Sequence, residues 1–452
     1  MLLGVSALAG SSGLIAQVKT NVSYEDIEPL IGELRAHLPD ELKGEPGNVQ
    51  RNWRSWVAAR DAHTRARVAR GDEDSVLNLL LLGTSFTKEP RIVTPMMATS
   101  GLGRVDHVVR KRAADLVAAA QSTDGNERLT LVREVLRRRG LDLSSTAGRQ
   151  QAERYLLDEV QRMVREIEQH LRSQQMARAR ADLAGAYAER MAFFSARGLS
   201  SDTSLLPSYG IEQAMAAMKS AGFLGAGAVW HAAVVGPGLD FVDKNDGIDV
   251  YPQQSPQPFL LIDSLLRLGL SAPGRLQLAT LDVSPFVNHH LHAAREHARA
   301  GYALTLPIDT ARAWTNGYAA YWRQSGDRVA DDVETTTLRA SGATFALRRI
   351  RVRPGVVEAI TPFDLNVVLQ RLSGGPRFDL IVVSNVLIYY GVFEQALALA
   401  NIAAMLKPGG WLISNDALPM LRATPLKEAG SVSVVYADGL GYTERLSWYR
   451  RQ

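Results

Sequence analysis

The chain has 452 residues, 46% of them hydrophobic and 22% charged, the composition of a soluble globular protein too long for one typical domain. It has no cysteine, which excludes a disulfide framework, a thiolate metal site and a cysteine nucleophile. Its formal net charge of +4 is small for that length, and with no zinc-finger or aromatic RNA-binding signature there is no clear nucleic-acid signal.

Residues 1–21 form an apolar N-terminal tail. MLLGVSALAGSSGLIAQ resembles a signal-peptide core, but no Lys or Arg precedes Lys19, so a signal remnant and a plain tail both stay open. The stretch is too short and too rich in Gly and Ser for a transmembrane span. Residues 22–195 read as an all-α helical domain. NVSYEDIEPLIGELRAHL has an Asn/Ser start, acids in its first turn and apolar residues at helical spacing. The helix containing RNWRSWVAARDAHTRARVARG is expected to stop at Gly71. SVLNLLLLGTSF, apolar nearly all round, is expected as a further, buried helix. In TAGRQQAERYLLDEVQRMVREIEQHLRSQQ, Leu156, Val160, Met163, Ile167 and Leu171 repeat at three or four. The Arg/Glu pairs opposite them read as a solvated face.

Residues 196–212 are the expected linker: Ser, Gly and Pro cluster there and no period survives. After IEQAMAAMKSAG the period changes. GAVWHAAVVGPG, RLQLATLDVS, FALRRIRVRPG, FDLIVVSN and GGWLISND are strand-like, with helix-like PFLLIDSLLRLG, PFVNHHLHAAREHARA and FEQALALANIAAMLK among them. That alternation predicts an α/β domain over 213–452, a parallel sheet covered by helices. SVSVVYADGLGYTERLSWYRR reads as two strands around an ADGLG turn, hence an antiparallel last pair.

Ligands of open α/β sheets sit at the carboxyl ends of the strands. The residues there are Gly236-Pro237-Gly238, Asp282, Asp364-Leu365-Asn366, Ser384-Asn385 and Asn415-Asp416. Together they suit a nucleoside-sized pocket. A dinucleotide would want a GxGxxG loop opening a helix. GPGLDFVDKNDGIDV lacks the third glycine and carries Asp240, Asp243, Asp246 and Asp249, which repel phosphate. S-adenosyl-L-methionine has a sulfonium cation and no phosphate, so an acid-rich loop is compatible with it. An EF-hand reading fails, because the glycine of DKNDG falls one position early and Gln254 stands where the closing Glu belongs. His289, His290, His292 and His297 form the one histidine cluster; no third ligand accompanies either same-face pair, and no metal is expected.

FDLIVVSNVLIYY followed by AMLKPGGWLISND resembles the class I S-adenosylmethionine-dependent methyltransferases, and more narrowly the CheR-type chemotaxis-receptor methyltransferases. Their fourth-strand signature reads FDLIFCRNVLIYF; their second strand opens ATDID, with ARxGxY about twenty residues on, where this chain has ATLDVS and ARAGYA. VRPGVVEAITPFDLN is similar to their third-strand region, and the likeness covers about 225–420. The resemblance implies a Rossmann-like, mostly parallel seven-stranded sheet with its last strand antiparallel. It implies an enzyme that transfers a methyl group in line and releases S-adenosyl-L-homocysteine. By that resemblance Gly236 and Gly238 line the methionine and sulfonium end, and Asp282 binds the ribose hydroxyls. Asp364 and Leu365 flank the adenine, Asn385 and Val386 touch the cofactor beside the methyl, and Tyr389 faces the acceptor. A bacterial source and a cytoplasmic location, where the cofactor is made, are further expectations.

The departures are specific. The family's first-strand loop is of a TGEEPYS type; here GPG is followed by the acidic insert. Ser384 replaces the arginine before the asparagine, which bears on a receptor-glutamate acceptor. The acceptor, a protein carboxylate or a small-molecule oxygen or nitrogen, is unidentified, and the helical half would recognise it or a partner. A non-catalytic cofactor-binding scaffold and a NAD-dependent oxidoreductase are the competing readings. Each site residue has a plainer reading too: Asp282 as a helix cap in competition with Ser284, Asp364 as a solvated acid, Tyr389 and Tyr390 as packing. Trp314, Tyr318, Tyr321 and Trp322 would line an acceptor pocket or pack an interface.

Overall fold

In the computed structural model the described residues are 17–44, 47–92, 94–122, 125–179, 189, 192–195, 197–242, 248–340, 343–419, 421–438 and 443–452. Most of the N-terminal tail, Asp243, Asp246 and the tip of the ADGLG turn lie outside them.

A short strand, β1 (Val18–Asn21), leads into α1 (Tyr24–Leu34). Ser23 caps that helix in a capping box, its Oγ accepting from Asp26 N while the Asp26 carboxylate accepts from Ser23 N. Helix α2 (Asn48–Leu82) then runs unbroken through Gly71, so SVLNLLLL is its last part and not a further helix. Gly71 serves close approach instead of termination. A Cβ there would lie 1.8 Å from Leu199 O, and one on Gly198 would lie 2.3 Å from Gly71 N. Helices α3 (Thr94–Ala119), α4 (Glu127–Arg138) and α5 (Thr146–Ala179) complete the N-terminal half. In α5 the apolar stripe is buried at Leu156, Val160 and Met163, half-buried at Ile167 and exposed at Leu171.

These helices divide between two cores. Ile27 and Leu34 of α1, and Trp53, Trp56 and Val57 early in α2, pack with Ile381, Leu397 and Leu412 of the C-terminal half. Trp56 lies edge-on to Phe393 with centroids 5.5 Å apart. The end of α2 and helices α3 to α5 form a second core with Leu239, Phe241, Val287 and Leu291. The boundary expected at residue 195 therefore does not follow the packing, and α1 with the start of α2 belongs to the sheet's own core. The expected linker is also shorter than 196–212, because α6 (Leu206–Ser220) begins inside it.

The C-terminal half continues with β2 (His231–Val235), α7 (Pro256–Arg267), β3 (Gln277–Asp282), α8 (Pro285–Glu296), β4 (Tyr302–Asp309), α9 (Asn316–Gln324), β5 (Ala330–Ala340) and β6 (Ala343–Val352). It ends with α10 (Pro354–Glu358), β7 (Ile360–Asp364), β8 (Gln370–Ser373), β9 (Phe378–Val383), α11 (Val392–Met405), β10 (Leu406–Ser414), β11 (Leu426–Val435) and β12 (Thr443–Arg451). The main sheet has the order β11-β12-β10-β9-β2-β3-β7. Strands β10, β9, β2, β3 and β7 are parallel, and β12 runs antiparallel to both its neighbours. This is the Rossmann-like, mostly parallel seven-stranded sheet with an antiparallel last strand that the sequence predicts.

The central strands are apolar on both faces because both faces are covered. Ala232, Val234, Leu380 and Val382 point to the core that holds Met215 of α6 and Phe259 of α7. Ala233, Val235, Ile381 and Val383 point to the core that holds α1 and α11. β1 and β8 form a separate two-stranded antiparallel sheet.

One strand-like run belongs elsewhere. FALRRIRVRPG forms β6, which joins β4 and β5 in a separate antiparallel sheet inserted between β3 and β7. Phe345 and Leu347 are buried in a small cluster with Ile248 and Tyr251, Ile350 and Val352 are buried on the opposite face in the main core, and Arg349 and Arg351, on the same face as Phe345, are exposed, so the covered face changes along the strand. Among the described residues no helix is long and apolar enough to cross a membrane.

Candidate functional site

From β2 the chain builds outward through β3 and β7 on one side and then crosses back to β9 on the other, which opens a crevice at the carboxyl ends of these strands. A cavity of about 820 Å³ lies there, within the range of small-molecule sites. Gly236, Gly238, Asp282, Asn385, Val386 and Tyr389 all line it.

Both glycines are left-handed, with φ +64° at Gly236 and +66° at Gly238. A Cβ on Gly236 would lie 2.5 Å from Val386 Cγ2, so the ends of β2 and β9 meet only through a glycine. A Cβ on Gly238 would lie 2.6 Å from Ser201 O. The segment packed there is the stretch read as a linker. Leu239 N donates to Ser201 O at 2.7 Å, and Thr203 N donates to Leu239 O at 3.0 Å. Residues 199–204, with Val68, Asn78 and Leu82 of α2, wall the cavity.

Asp282 ends β3 and is 8% exposed. Burial pushes its carboxyl up to about 6, against the pull of N–H groups from Ser284, Gly238 and Val283; the charge of Asp364 pushes it further. The Ser284 N–H donates at 2.7 Å. Ser284 itself caps α8, its Oγ accepting from Val287 N, so Asp282 is not the helix cap.

Asp364 and Leu365 are not brought to the cavity. Asp364 sits opposite Asp282 in the β3–β7 register, but its half-exposed side chain pairs with Arg65 at 3.0 Å and Lys19 at 3.7 Å. Leu365 is a buried core side chain. The acids of the glycine loop also turn away. Asp240 accepts from Tyr251 Oη at 2.8 Å and Gln254 Nε2 at 3.0 Å, and Asp249 accepts from the N–H and hydroxyl groups of Thr84 and Ser85. The described part of that loop therefore supplies no carboxylate to the site.

Asn385 is the one described non-glycine residue with positive φ, +57°. Its N–H donates to Asn415 Oδ1 at 2.8 Å, and its Oδ1 accepts from Asn415 Nδ2 at 3.0 Å. Leu387 N is held by Asp416 Oδ2 at 2.9 Å. The Ser-Asn break after β9 is thus a left-handed turn fixed by the end of β10. Ser384 is buried, and its Oγ accepts from Gln257 Nε2 at 2.8 Å. Tyr389 presents its ring to Phe194 edge-on at 5.6 Å, and its carbonyl accepts from Arg67 Nη2 at 2.9 Å. Tyr390 is buried beneath the Arg67 guanidinium.

Several lining residues were not singled out in the sequence: Gln257, Arg312, Tyr436, Glu444 and the wall at 199–204. Glu444 had a legible signal, since it occupies an inward position of β12, whose other buried residues include Leu446, Trp448 and Tyr449. Of the histidines, His290 hydrogen-bonds Tyr302 Oη at 2.7 Å, while His289, His292 and His297 are exposed. Trp314, Tyr318 and Tyr321 pack around Tyr209 and Tyr436 and do not line the cavity. Among the described residues no group of three or more His, Asp or Glu is placed to hold a metal.

No family model matches the chain, and no curated protein matches it. Among solved structures it is similar to the N-methyltransferase NodS from Bradyrhizobium japonicum WM9 in complex with S-adenosyl-L-homocysteine, at 15% identity over 52% of this chain and 81% of that one, TM-score 0.25. It is similar to the magnesium protoporphyrin IX methyltransferase ChlM from Synechocystis PCC 6803 with bound S-adenosylmethionine, at 12% identity over 55% and 79%, TM-score 0.26. It is similar to the mitomycin 7-O-methyltransferase MmcR, at 14% identity over 89% and 99%, TM-score 0.29. Likenesses this low decide nothing; strand order and site geometry carry the reading.

Proposed function

We propose that the chain is an S-adenosyl-L-methionine-dependent methyltransferase of class I. The observation that carries this is the convergence of Gly236, Gly238, Asp282, Asn385 and Val386 on one cavity at the sheet's switch point. The motif resemblance assigns these same residues to the cofactor. The residues fit the cofactor. Asp282 is a buried carboxyl in the cavity wall, suited to a ribose diol, and the glycines give the methionine end close access to backbone. The lining acids Asp202, Asp282 and Glu444 outnumber its one described cation, Arg312, which suits a sulfonium better than a pyrophosphate. The run between β2 and α7 spans residues 236–255, so the glycines do not open a helix as a dinucleotide site would require.

When bound, the cofactor would supply an electrophilic methyl group on sulfur. The chain's own part is to position and to exclude water. Asp282 would hold the ribose hydroxyls, Asn385 and Val386 would form the lip beside the methyl, and Tyr389 would face the acceptor. The wall from α2 and residues 199–204 would cover the site and read the acceptor, the role we assign to the helical half. The CheR-type likeness rests on the motifs alone, and Ser384 in place of arginine weighs against a receptor-glutamate acceptor.

Titration with S-adenosyl-L-homocysteine and with NAD tests the proposal. Micromolar binding of the first and none of the second is expected; the reverse would overturn it. Transfer of labelled methyl to an acceptor in lysate separates the enzyme from a non-catalytic scaffold.

A further inference from the structure

Glu444 is the second residue of the antiparallel strand β12, its side chain is turned inward, and only 8% of the residue is exposed. It lines the cavity. Oε1 accepts from Asn415 Nδ2 at 2.7 Å, and Oε2 accepts from the hydroxyl of Tyr436, another lining residue. The same Asn415 amide also donates to Asn385 Oδ1, so one side chain separates Glu444 from the lip.

Both donors to this carboxylate are neutral. Among the described residues no Lys, Arg or His lies within ion-pair distance of it. Buried charges are ordinarily paired, because taking one out of water without a partner is costly. Several buried acids of this protein follow that rule, Asp263 and Glu212 with Arg267, Glu394 with Arg60 and Asp72 with Arg138, whereas Asp249 and Asp282, like Glu444, are held by neutral donors. Glu444 faces a cavity beside the proposed transfer point. The geometry there is fixed from two sides, by Asn415 after β10 and by Tyr436 after β11. Gly210 of α6 packs on the same pair, since a Cβ there would lie 3.0 Å from Tyr436 Oη and 3.2 Å from Glu444 Oε2.

We infer that Glu444 is the anionic pole of the acceptor subsite, and that the methyl acceptor is an amine: it would enter as its ammonium ion opposite this carboxylate, give up one proton through Glu444 to solvent, and attack the methyl carbon with the freed lone pair as the methyl–sulfur bond breaks and S-adenosyl-L-homocysteine leaves. The assignment rests on the proposed function and narrows it. A carboxylate acceptor would meet repulsion from Glu444. Its one described cationic partner in the lining would be Arg312, whose guanidinium lies over the Trp314 ring at 4.9 Å. Glu444 determines specificity here: it recognises the acceptor and leaves cofactor affinity to the glycine loop and Asp282.

The probes are S-adenosyl-L-homocysteine, neutral at sulfur, and sinefungin, an analogue that carries an ammonium where the methyl group sits. Wild-type protein is expected to bind sinefungin at least tenfold more tightly. In Glu444→Gln that preference is expected to vanish, with S-adenosyl-L-homocysteine affinity unchanged within about twofold. Glu444→Asp keeps the charge but draws it back by one methylene, and an intermediate preference is expected. Retained homocysteine-analogue binding shows that each variant is folded. Equal preference in wild type and both variants, or none in wild type, overturns the inference while leaving the cofactor site standing. Failure of wild type to bind S-adenosyl-L-homocysteine at all overturns the proposed function itself. Label transferred to the acceptor is expected to resist mild base as an N-methyl group; release as methanol marks a methyl ester and overturns the amine assignment.

Discussion

Replacing Asp282 by asparagine removes a charge and keeps the shape. In the ligand-free protein burial raises this carboxyl from 3.8 to about 6. Each tenfold change in proton affinity corresponds to about 1.4 kcal/mol, so ionised Asp282 costs the fold ~3 kcal/mol at neutral pH. The raised value fixes the direction. The folded state holds the proton more tightly than the unfolded chain, so this group's stability contribution is greatest below pH 3.8, falls between 3.8 and about 6, and is flat above. Asp282→Asn is therefore expected to be more stable than wild type at pH 7, by ~1–3 kcal/mol once the weakened Ser284 bond is subtracted. The gap should close near pH 4. Binding should move the other way. A carboxylate holding two ribose hydroxyls contributes charge-assisted bonds of ~1.5–3 kcal/mol each, and losing most of that weakens S-adenosyl-L-homocysteine by ~30- to 1000-fold. Wild-type affinity should also fall about tenfold for each pH unit below 6, where the acid must first lose its proton. Urea melts from pH 4 to 8 and calorimetric titration over the same range measure both. A variant that binds as tightly as wild type, or that is less stable at pH 7, would refute the assignment of Asp282.

Asn385→Ala combines the left-handed backbone cost of ~1–2 kcal/mol with loss of the Asn415 amide bond, whereas Asn385→Gly loses only the bond. The glycine variant should melt nearer wild type, and both should lose at least tenfold in S-adenosyl-L-homocysteine affinity; retained affinity in both would remove Asn385 from the site. Gly71→Ala forces a Cβ against Leu199 O and should destabilise by ~1–3 kcal/mol while weakening ligand binding through the displaced wall. Arg67→Met leaves the carbonyls of Phe194, Arg197 and Tyr389 without their shared donor, for ~2–4 kcal/mol in melts. Unchanged melting would show that the clamp is not made.

The central strands were legible because FDLIVV and HAAVV are apolar on both faces, which only a doubly covered sheet requires. The Ser-Asn break and Asp282 were legible because a parallel strand delivers its last residues to the ligand edge. Asp364 follows the same rule and still left the site. Strand position fixes where its Cα lies, but Arg65, nearly three hundred residues earlier in the chain, decides where the carboxylate goes. Gly71 misled for a related reason: a glycine that ends helices and a glycine that admits a crossing backbone look alike in one dimension. Residues 199–204 have linker composition because their partners are main-chain groups of the glycine loop, which carry no sequence signal. β6 was legible as a strand but not as part of the inserted sheet, since pairing partners are chosen non-locally.

A crystal structure of the protein with saturating S-adenosyl-L-homocysteine would place the cofactor by direct observation. The ligand is expected in the cavity between Gly236–Gly238 and Asn385–Val386, with its ribose hydroxyls on Asp282 and its sulfur turned toward the Glu444 side. Density in another cavity, or a ribose that does not meet Asp282, would contradict the proposed site.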